Sequence, residues 1–332
     1  MIAVAARRPV EGIVPFDPFL HLRAVTELMA QAFAGELGPG ARQMLRRMQR
    51  MARWGMLSPL IWEAAGSPLD PSGLVWLEGD EVIGNVSLRP ASTPGGWMIG
   101  NVAVRADRRG RGIGRALMDA AVQMARERGG EWVGLEVRTD NEAAHRLYER
   151  MGFAPIGSAL EMDRPSGLPW PPAVPRSLAL RRARASDNDT LYRLAQDGLT
   201  RHHREVLELR PSLYRAGWEE RLVGWFDGCQ DDWWTSSEGG QVVGGLRVNS
   251  HWAGRYHQLD VLARRDRLEE LGPQLVAAAL TILSRRRAWE ATVFLPGVRA
   301  LLEPSFLAAG FQPLRRLTQM RLSLGQRVRI VP

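Results

Sequence analysis

The fold is decided by residues 97–118, which read WMIGNVAVRADRRGRGIGRALM. The first part alternates apolar and small residues as a strand does, and the last part begins an amphipathic helix. Between them lies a loop that is rich in arginine and has glycines at 110, 112 and 114. Glycine lets backbone N–H groups turn toward a ligand, and a helix N-terminus attracts anions. The stretch therefore predicts a strand, a diphosphate-binding loop and a helix.

The spacing of these glycines excludes one common diphosphate site. A dinucleotide-binding turn needs the pattern Gly-x-Gly-x-x-Gly. Counted from Gly112, the third glycine position holds Leu117, and counted from Gly110 it holds Arg115. The loop therefore does not match a Rossmann fingerprint.

The residues after this loop carry a family resemblance. Residues 132–138 form an apolar strand pattern, and residues 141–153 read NEAAHRLYERMGF. With Arg109-x-x-Gly112-x-Gly114, this order resembles the GNAT superfamily of acyl-CoA-dependent N-acyltransferases, and the close resemblance covers about residues 73–163. It implies an α/β fold, with a mixed and mostly antiparallel sheet flanked by helices. It also implies acetyl-CoA as the acyl donor and no metal.

The resemblance implies where the donor binds. Backbone groups of the strand would pair with the pantetheine arm at Val102, Ala103 and Val104. Backbone N–H groups would hold the pyrophosphate at Arg109, Gly110, Arg111, Gly112, Ile113, Gly114 and Arg115. The arginine side chains are also candidates for contacts to the ribose 3′-phosphate.

Two residues of the following helix match family positions. Tyr148 matches the tyrosine near the thioester sulfur, where a hydroxyl can protonate the departing thiolate. It also belongs to an apolar stripe at helical spacing, which is typical of a core residue. Asn141 matches an asparagine near the pantetheine, and it is equally a good helix N-cap.

The general base stays open. Many family members carry a glutamate on the strand before the loop, but no acid lies between Pro90 and Val104. The remaining alternatives are a relayed water, Glu136, Glu81, a group of the second domain, or an amine that is already neutral.

The chain divides at a proline-rich segment and then repeats. Residues 163–176 contain five prolines, which exclude a helix or a central strand there. Pairs such as Leu117 and Leu275 share an offset of 158 residues. The predicted organisation is a first domain over 1–163 with the acetyl-CoA site, a linker over 164–176, and a second domain over 177–332.

The second copy has lost the residues of the site. At this offset, the family positions Gly110, Gly112, Asn141 and Tyr148 become Leu268, Glu270, Arg299 and Phe306. A carboxylate repels a pyrophosphate, and a phenyl ring has no hydroxyl. We therefore expect a degenerate domain that packs against the first as an intramolecular pseudo-dimer and shapes the acceptor cleft, in a monomer or a weak homodimer.

Composition limits the function further. The 332 residues include no lysine, so a Walker-A loop and a lysine Schiff base are excluded. A single cysteine and scattered histidines argue against a disulfide framework and a metal site. The net charge of +8 comes from arginines mixed with acids, so nucleic acid is not an expected partner. The N-terminus lacks a signal pattern and no apolar run is long enough for a membrane span, so we expect a cytoplasmic chain without a membrane partner.

The expected activity is transfer of an acetyl group from acetyl-CoA to a primary amine by direct attack in a ternary complex. The acceptor would be a small amine, an amino-sugar antibiotic or a peptide N-terminus. The alternative is a non-catalytic acyl-CoA-binding or regulatory protein with the same fold.

Overall fold

A computed structural model describes residues 11–53, 73–171, 178–226 and 228–325 of the chain. The N-terminal residues interpreted above as lacking a signal, and residues 172–177 of the linker, lie outside these ranges. The described strands form one twelve-stranded sheet that runs through both halves of the chain.

The first half contains six strands and four helices among the described residues. The strands are β1 (Glu11–Pro15), β2 (Gly73–Glu78), β3 (Glu81–Pro90), β4 (Gly96–Val104), β5 (Trp132–Arg138) and β6 (Ala154–Arg164). The helices are α1 (Pro18–Ala32), α2 (Pro39–Arg53), α3 (Ile113–Glu127) and α4 (Glu142–Arg150). The strand and helix predicted on either side of the glycine loop are present as β4 and α3, and the strand pattern of residues 132–138 is β5.

The second half repeats this order of strands, and all but one of its described helices have nine residues or fewer. Its strands are β7 (Leu180–Arg182), β8 (Cys229–Glu238), β9 (Gln241–His251), β10 (Tyr256–Ala263), β11 (Glu290–Pro296) and β12 (Gln312–Ser323). Its helices are α5 (Asn188–Gln196), α6 (Arg201–Val206), α7 (Trp218–Phe226), α8 (Leu268–Leu283) and α9 (Glu303–Ala308).

Helices cover both faces of the sheet because the strands are apolar on both sides. Along β2, Leu74 packs in the core formed with α3, whereas Val75 packs in the core formed with α1 and α2. Successive side chains of a strand point to opposite faces, so one strand serves both cores. Helices α1 and α2 therefore lie on one face and α3 on the other.

The two halves exchange their last strands. The sheet order is β1-β2-β3-β4-β5-β12-β6-β11-β10-β9-β8-β7. Strand β12 lies between β5 and β6, and β6 lies between β12 and β11, so each half is completed by a strand of the other. Among the described strands, only β4–β5 and β10–β11 pair in parallel. The predicted mixed, mostly antiparallel sheet is confirmed.

Equivalent contacts in the two halves support the repeat. A side chain at Gly84 would meet Ile113 and Leu117, and one at Gly244 would meet Leu271 and Leu275. The two helix pairs keep the offset of 158 residues that the sequence predicts. Gly84 in the first half and Gly244 in the second therefore each allow an equivalent helix to pack close to the sheet.

The described part of the linker is packed rather than free. The Arg164 guanidinium donates hydrogen bonds to the carbonyls of Leu168 and Pro169, and it lies over the Trp170 ring at 4.3 Å from the centroid. Trp170 in turn packs against the core of the second half. The domain boundaries given above remain a prediction, because β6 belongs to the first half in sequence and joins both halves in the sheet.

Candidate active site

Strands β4 and β5 separate in the middle of the sheet. They pair in parallel only from Gly96–Trp132 to Met98–Gly134. Beyond that point β4 continues to Val104 paired with β3 alone, and β5 continues to Arg138 paired with β12. The predicted pantetheine positions Val102, Ala103 and Val104 lie on this part of β4, and none of the described strands lies beside it on the β5 side. An extended ligand can therefore add itself there as a strand would.

A bulge at Asn101 shapes β4 where the strands part. Asn101 has φ of +52°, and the register with β3 shifts between Asn85 and Ser87. The Asn85 side-chain amide donates to the Asn101 carbonyl at 2.6 Å, and the Asn101 amide donates to the Ser87 hydroxyl at 3.2 Å. These two bonds hold a backbone conformation that residues with a Cβ adopt rarely.

The glycine loop presents free donors to the end of β4. A 3-10 turn over Ala106–Arg108 precedes it, and Gly110 and Gly112 have φ of +76° and +81°. Within the described chain, none of the backbone N–H groups from 110 to 115 has a hydrogen-bond acceptor. No atom of the described residues lies within 4 Å of where a Cβ at either glycine would stand. The loop and the first turn of α3 therefore form an open anion-binding surface.

The arginines around the loop differ in their partners. Arg105 and Arg108 pair with carboxylates at 81, 107 and 78, and Arg115 pairs with Asp119. Arg109 donates through Nε to the Val104 carbonyl at 3.1 Å, which ties the loop to the end of β4. Arg111 is exposed and has no carboxylate partner among the described residues. Neither Arg109 nor Arg111 therefore has a carboxylate partner in the described part of the protein, and of the two only Arg111 makes no hydrogen bond there.

Helix α4 carries the two remaining predicted residues. Asn141 is its N-cap, and its side-chain oxygen accepts a hydrogen bond from the Ala144 N–H at 3.1 Å. Tyr148 is buried beside Phe153, and burial raises the pKa of its hydroxyl to about 12. The hydroxyl is protonated at neutral pH with or without this shift, so it can donate a hydrogen bond or a proton, although the raised pKa makes it a weaker acid than an exposed tyrosine.

A cavity of about 470 Å³ opens beside the bulge. Apolar side chains of α1 and α2 form one wall, and β4 contributes residues 98 to 101. Glu136 of β5 and Arg315 and Leu317 of β12 line it from the other side. The exchanged strand β12 therefore brings residues of the second half into a cavity of the first.

Glu136 is the carboxylate of this cavity. Its side chain is open to the cavity, yet the surrounding protein desolvates it and raises the pKa of its carboxyl above the ordinary value. The hydrogen bond from Gln319 and the charge of Arg315 act in the opposite direction. Glu81, the other named candidate base, pairs with Arg105 at the β2–β3 hairpin and does not line the cavity. Of the two glutamates that the sequence left open, the geometry favours Glu136.

The arginines of the cavity are neutralised by ion pairs. Arg89 is held by Glu208, and Arg315 donates to Glu161 at 2.6 Å. The sequence pattern had no signal for these pairs, because the partners lie 119 and 154 positions apart. Because both arginines are paired with glutamates, the Glu136 carboxylate determines the sign of the electrostatic potential in the cavity. A negative potential suits a cationic or amine ligand.

The second half has no equivalent loop. Its 3-10 turn over Arg265–Arg267 is followed at once by α8, which begins at Leu268. Residues 268 and 270, the equivalents of Gly110 and Gly112, lie in the first helical turn, which contains Glu269 and Glu270. Phe306 stands at the position of Tyr148 and is fully buried against Phe311. The sequence predicted a blocking carboxylate, and the structure shows in addition that the loop itself has become helix.

Two further properties follow from the described ranges. No three His, Cys, Asp or Glu side chains in them come together as metal ligands. None of their helices is both long and apolar enough to span a bilayer.

Comparison with known proteins agrees with this geometry. Residues 42–153 match the model of the acetyltransferase (GNAT) family. A mycothiol acetyltransferase of Geodermatophilus obscurus is 40% identical over 91 residues, which are 25% of this chain and 29% of that protein. That protein and two other curated relatives are matched over only 16 to 55% of their own length, so the chain aligns with part of each.

The fold of the whole chain is shared with solved structures. One is a GCN5-related N-acetyltransferase from Sphaerobacter thermophilus, with a TM-score of 0.64 and 17% identity over 95% of this chain and 96% of that one. Another is a tandem GNAT protein from the clavulanic acid biosynthesis pathway, with a TM-score of 0.57 and 17% identity over 95% and 98% of the two chains. At this identity the likeness concerns the fold.

Proposed function

From the match of residues 42–153 to the GNAT family and the fold shared with a tandem GNAT structure, we propose that the chain is a two-domain GNAT protein that transfers an acetyl group from acetyl-CoA to a primary amine. The reaction is assigned to the N-terminal half. The observation that carries the proposal is the gap between β4 and β5, with an open loop of free N–H groups at the end of β4.

The donor fits this half of the molecule and not the other. The pantetheine arm would pair with the backbone at Val102, Ala103 and Val104, and Asn141 would lie close to it. The pyrophosphate would lie against residues 109 to 115 and accept hydrogen bonds from the N–H groups of residues 110 to 115, because the Arg109 N–H already donates to the Ala106 carbonyl. Arg111 is the candidate for the 3′-phosphate. In the second half the equivalent positions are a helical turn with two glutamates, which would repel the diphosphate.

The acceptor amine would enter the cavity beside Asn101. Its nitrogen would attack the acetyl carbonyl directly, forming the C–N bond in a ternary complex, because the cavity and the gap share strand β4. Glu136 would take the proton from the amine, directly or through water. A base with a raised pKa works closer to neutral pH than an ordinary carboxylate.

Tyr148 would act on the leaving group. Collapse of the tetrahedral intermediate breaks the C–S bond and releases coenzyme A as a thiolate. The Tyr148 hydroxyl would give its proton to that sulfur, and positioning of the two substrates would supply much of the remaining rate.

The acceptor belongs to one of three classes: a small amine, an amino-sugar antibiotic or a peptide N-terminus. The largely apolar wall of the cavity favours an amine with an apolar body. The cytoplasm is the compartment proposed for the reaction, since the 332 residues contain a single cysteine, which excludes a disulfide within the chain.

The alternative function is binding of acyl-CoA without catalysis. It is favoured by one observation, the absence of an acid on β4. The two functions differ in turnover: the enzyme releases free coenzyme A with a panel of amines and loses this activity in Glu136→Gln and Tyr148→Phe, whereas the binding protein does not.

The first test is calorimetric titration with acetyl-CoA. We expect one site per chain, which Gly112→Glu abolishes by placing a carboxylate and a Cβ in the loop. Gly129→Glu is the matched control, because Gly129 has a similar φ of +78° and open space at the other end of α3. Two sites would show that the second half also binds the donor, and no binding would refute the transferase.

A further inference from the structure

Glu136 is held by a residue of the second half. In the exchanged sheet Gln319 of β12 stands directly opposite Glu136 of β5, and its amide donates to the Glu136 carboxylate at 2.8 Å. The Gln319 side chain is fully buried. Since a carboxylate only accepts hydrogen bonds, the amide nitrogen faces Glu136 and the amide oxygen points away from it.

A buried histidine occupies the other end of this amide. His203 of α6 places Nε2 at 3.1 Å from the Gln319 amide oxygen. An amide oxygen cannot donate, so the proton lies on Nε2 of His203. Burial lowers the pKa of His203, although the Gln319 bond raises it and Arg299 lowers it further, so the ring is neutral at neutral pH.

The backbone makes room for this histidine. A side chain on Gly157 of β6 would come within 2.3 Å of the His203 ring. Gln319 of β12 is paired with Gly157 of β6 on one side and with Glu136 of β5 on the other, so these three residues lie in one row across the sheet. At the start of α6 the Thr200 hydroxyl caps the His203 N–H at 3.2 Å. The ring is therefore fixed by packing and by a hydrogen bond at its edge.

Resting on the proposed function, we infer that Gln319 and His203 are positioning residues of the reaction, which orient the Glu136 carboxylate toward the amine. His203 holds the amide oxygen, the amide nitrogen holds one carboxylate oxygen, and the remaining lone pairs of Glu136 are left for the substrate. The second half, which lacks a donor site of its own, contributes to catalysis through these two side chains.

The charges around Glu136 largely cancel, so the effect of the Gln319 hydrogen bond on the pKa of Glu136 can be measured. Arg315 and Arg89 face it with positive charge, and Glu161 and Glu208 face it with negative charge. The arginines are paired with these two glutamates, so the fields largely cancel. A hydrogen bond to the ionised form lowers the pKa of a carboxyl, and its removal raises that pKa.

The test is the pH dependence of kcat/KM in Gln319→Leu. We expect kcat at neutral pH to fall roughly 10-fold, as for loss of a hydrogen bond to a charged group. The acidic limb of the pH profile should shift to higher pH by about one unit. The KM for acetyl-CoA should be unchanged. Titration of Glu136 by carboxyl ¹³C NMR should show the same upward movement, which a merely structural role would not produce.

The histidine gives a second pair of variants in case Gln319→Leu fails to fold. His203→Phe removes the donor and should move the limb in the same direction, whereas His203→Gln keeps a donor near Nε2 and should restore most of the rate. Gln123→Leu is the control, since Gln123 makes the same amide–carboxylate bond to Glu127 on the exposed face of α3.

The outcomes separate the inference from the proposed function. An active wild type whose pH profile and Glu136 titration are the same in Gln319→Leu and His203→Phe overturns the inference alone. A wild type without transferase activity on any amine overturns the proposed function, and the positioning role with it.

Discussion

Glu208 and Arg89 join the two halves of the chain through two hydrogen bonds between one carboxylate and one guanidinium, one of them 2.8 Å long. Glu208 also accepts a hydrogen bond from the Ser92 N–H at 3.0 Å. It therefore binds the segment that follows β3 as well as Arg89, which lines the cavity. A bidentate pair of this kind is more specific in geometry than a simple ion pair.

This pair predicts a pH-dependent contribution to stability. Burial acts to raise the pKa of Glu208, but its bond to Arg89 and the charge of Arg89 bring the pKa below the ordinary value. A carboxyl with a lowered folded pKa stabilises the protein above its unfolded pKa of about 4.3, and the contribution is lost as the pH falls through the folded value.

Glu208→Gln should lower the free energy of unfolding at pH 7 by about 1 kcal/mol, a small value because Arg89 is half exposed. The difference from wild type should become smaller as the pH is lowered from 7 to 3 in denaturant titrations. Glu149→Gln, at an exposed site of α4, is the control that should differ at neither pH. A difference that is equal at both pH values would contradict the assigned charge effect.

Tyr148→Phe should remove activity without removing the fold. The second half already carries a phenyl ring, Phe306, in the equivalent place, fully buried against Phe311. We expect kcat to fall on the order of 100-fold, as for loss of a general acid, with acetyl-CoA affinity and melting temperature near wild type. Tyr214→Phe, at a buried tyrosine of the second half, should keep its activity. Equal activity of Tyr148→Phe and wild type would make Tyr148 a core residue only.

Arg111 should distinguish acetyl-CoA from its analogue without the 3′-phosphate. Arg111→Ala should weaken acetyl-CoA binding by a factor of roughly 5 to 10, the value of an exposed charge-assisted hydrogen bond. It should leave the affinity for 3′-dephospho-acetyl-CoA unchanged. Arg126→Ala, on the exposed last turn of α3, should alter neither affinity. An equal loss for both ligands in Arg111→Ala would place this side chain at the pyrophosphate instead.

The exchange of β6 and β12 should make the two halves unfold together. Leu117 and Leu275 are equivalent and fully buried, one in each half. Leu117→Ala and Leu275→Ala should each cost about 3 kcal/mol or more from the cavity created. In differential scanning calorimetry we expect a single transition that both variants shift. Two transitions, of which each variant shifts only one, would show that the halves are independent.

Local patterns in the sequence were sufficient for much of the first half. The alternation in 97–104, the glycines at 110 and 112 and the helical spacing after them depend on neighbouring residues, and the structure has a strand, two positive φ angles and a helix there. The duplication was also readable, because side chains that pack the same way keep the same spacing.

What the tertiary structure alone decided is which distant groups meet. Glu81 and Glu136 were equal candidates in the sequence, and only the separation of β4 from β5 puts Glu136 in the cavity and leaves Glu81 at a hairpin. Gln319 had no signal at all, because its partner lies 183 positions away and is set by the strand order. Periodicity specifies which residues face a core, whereas the exchange of strands depends on how two complete halves pair their edges.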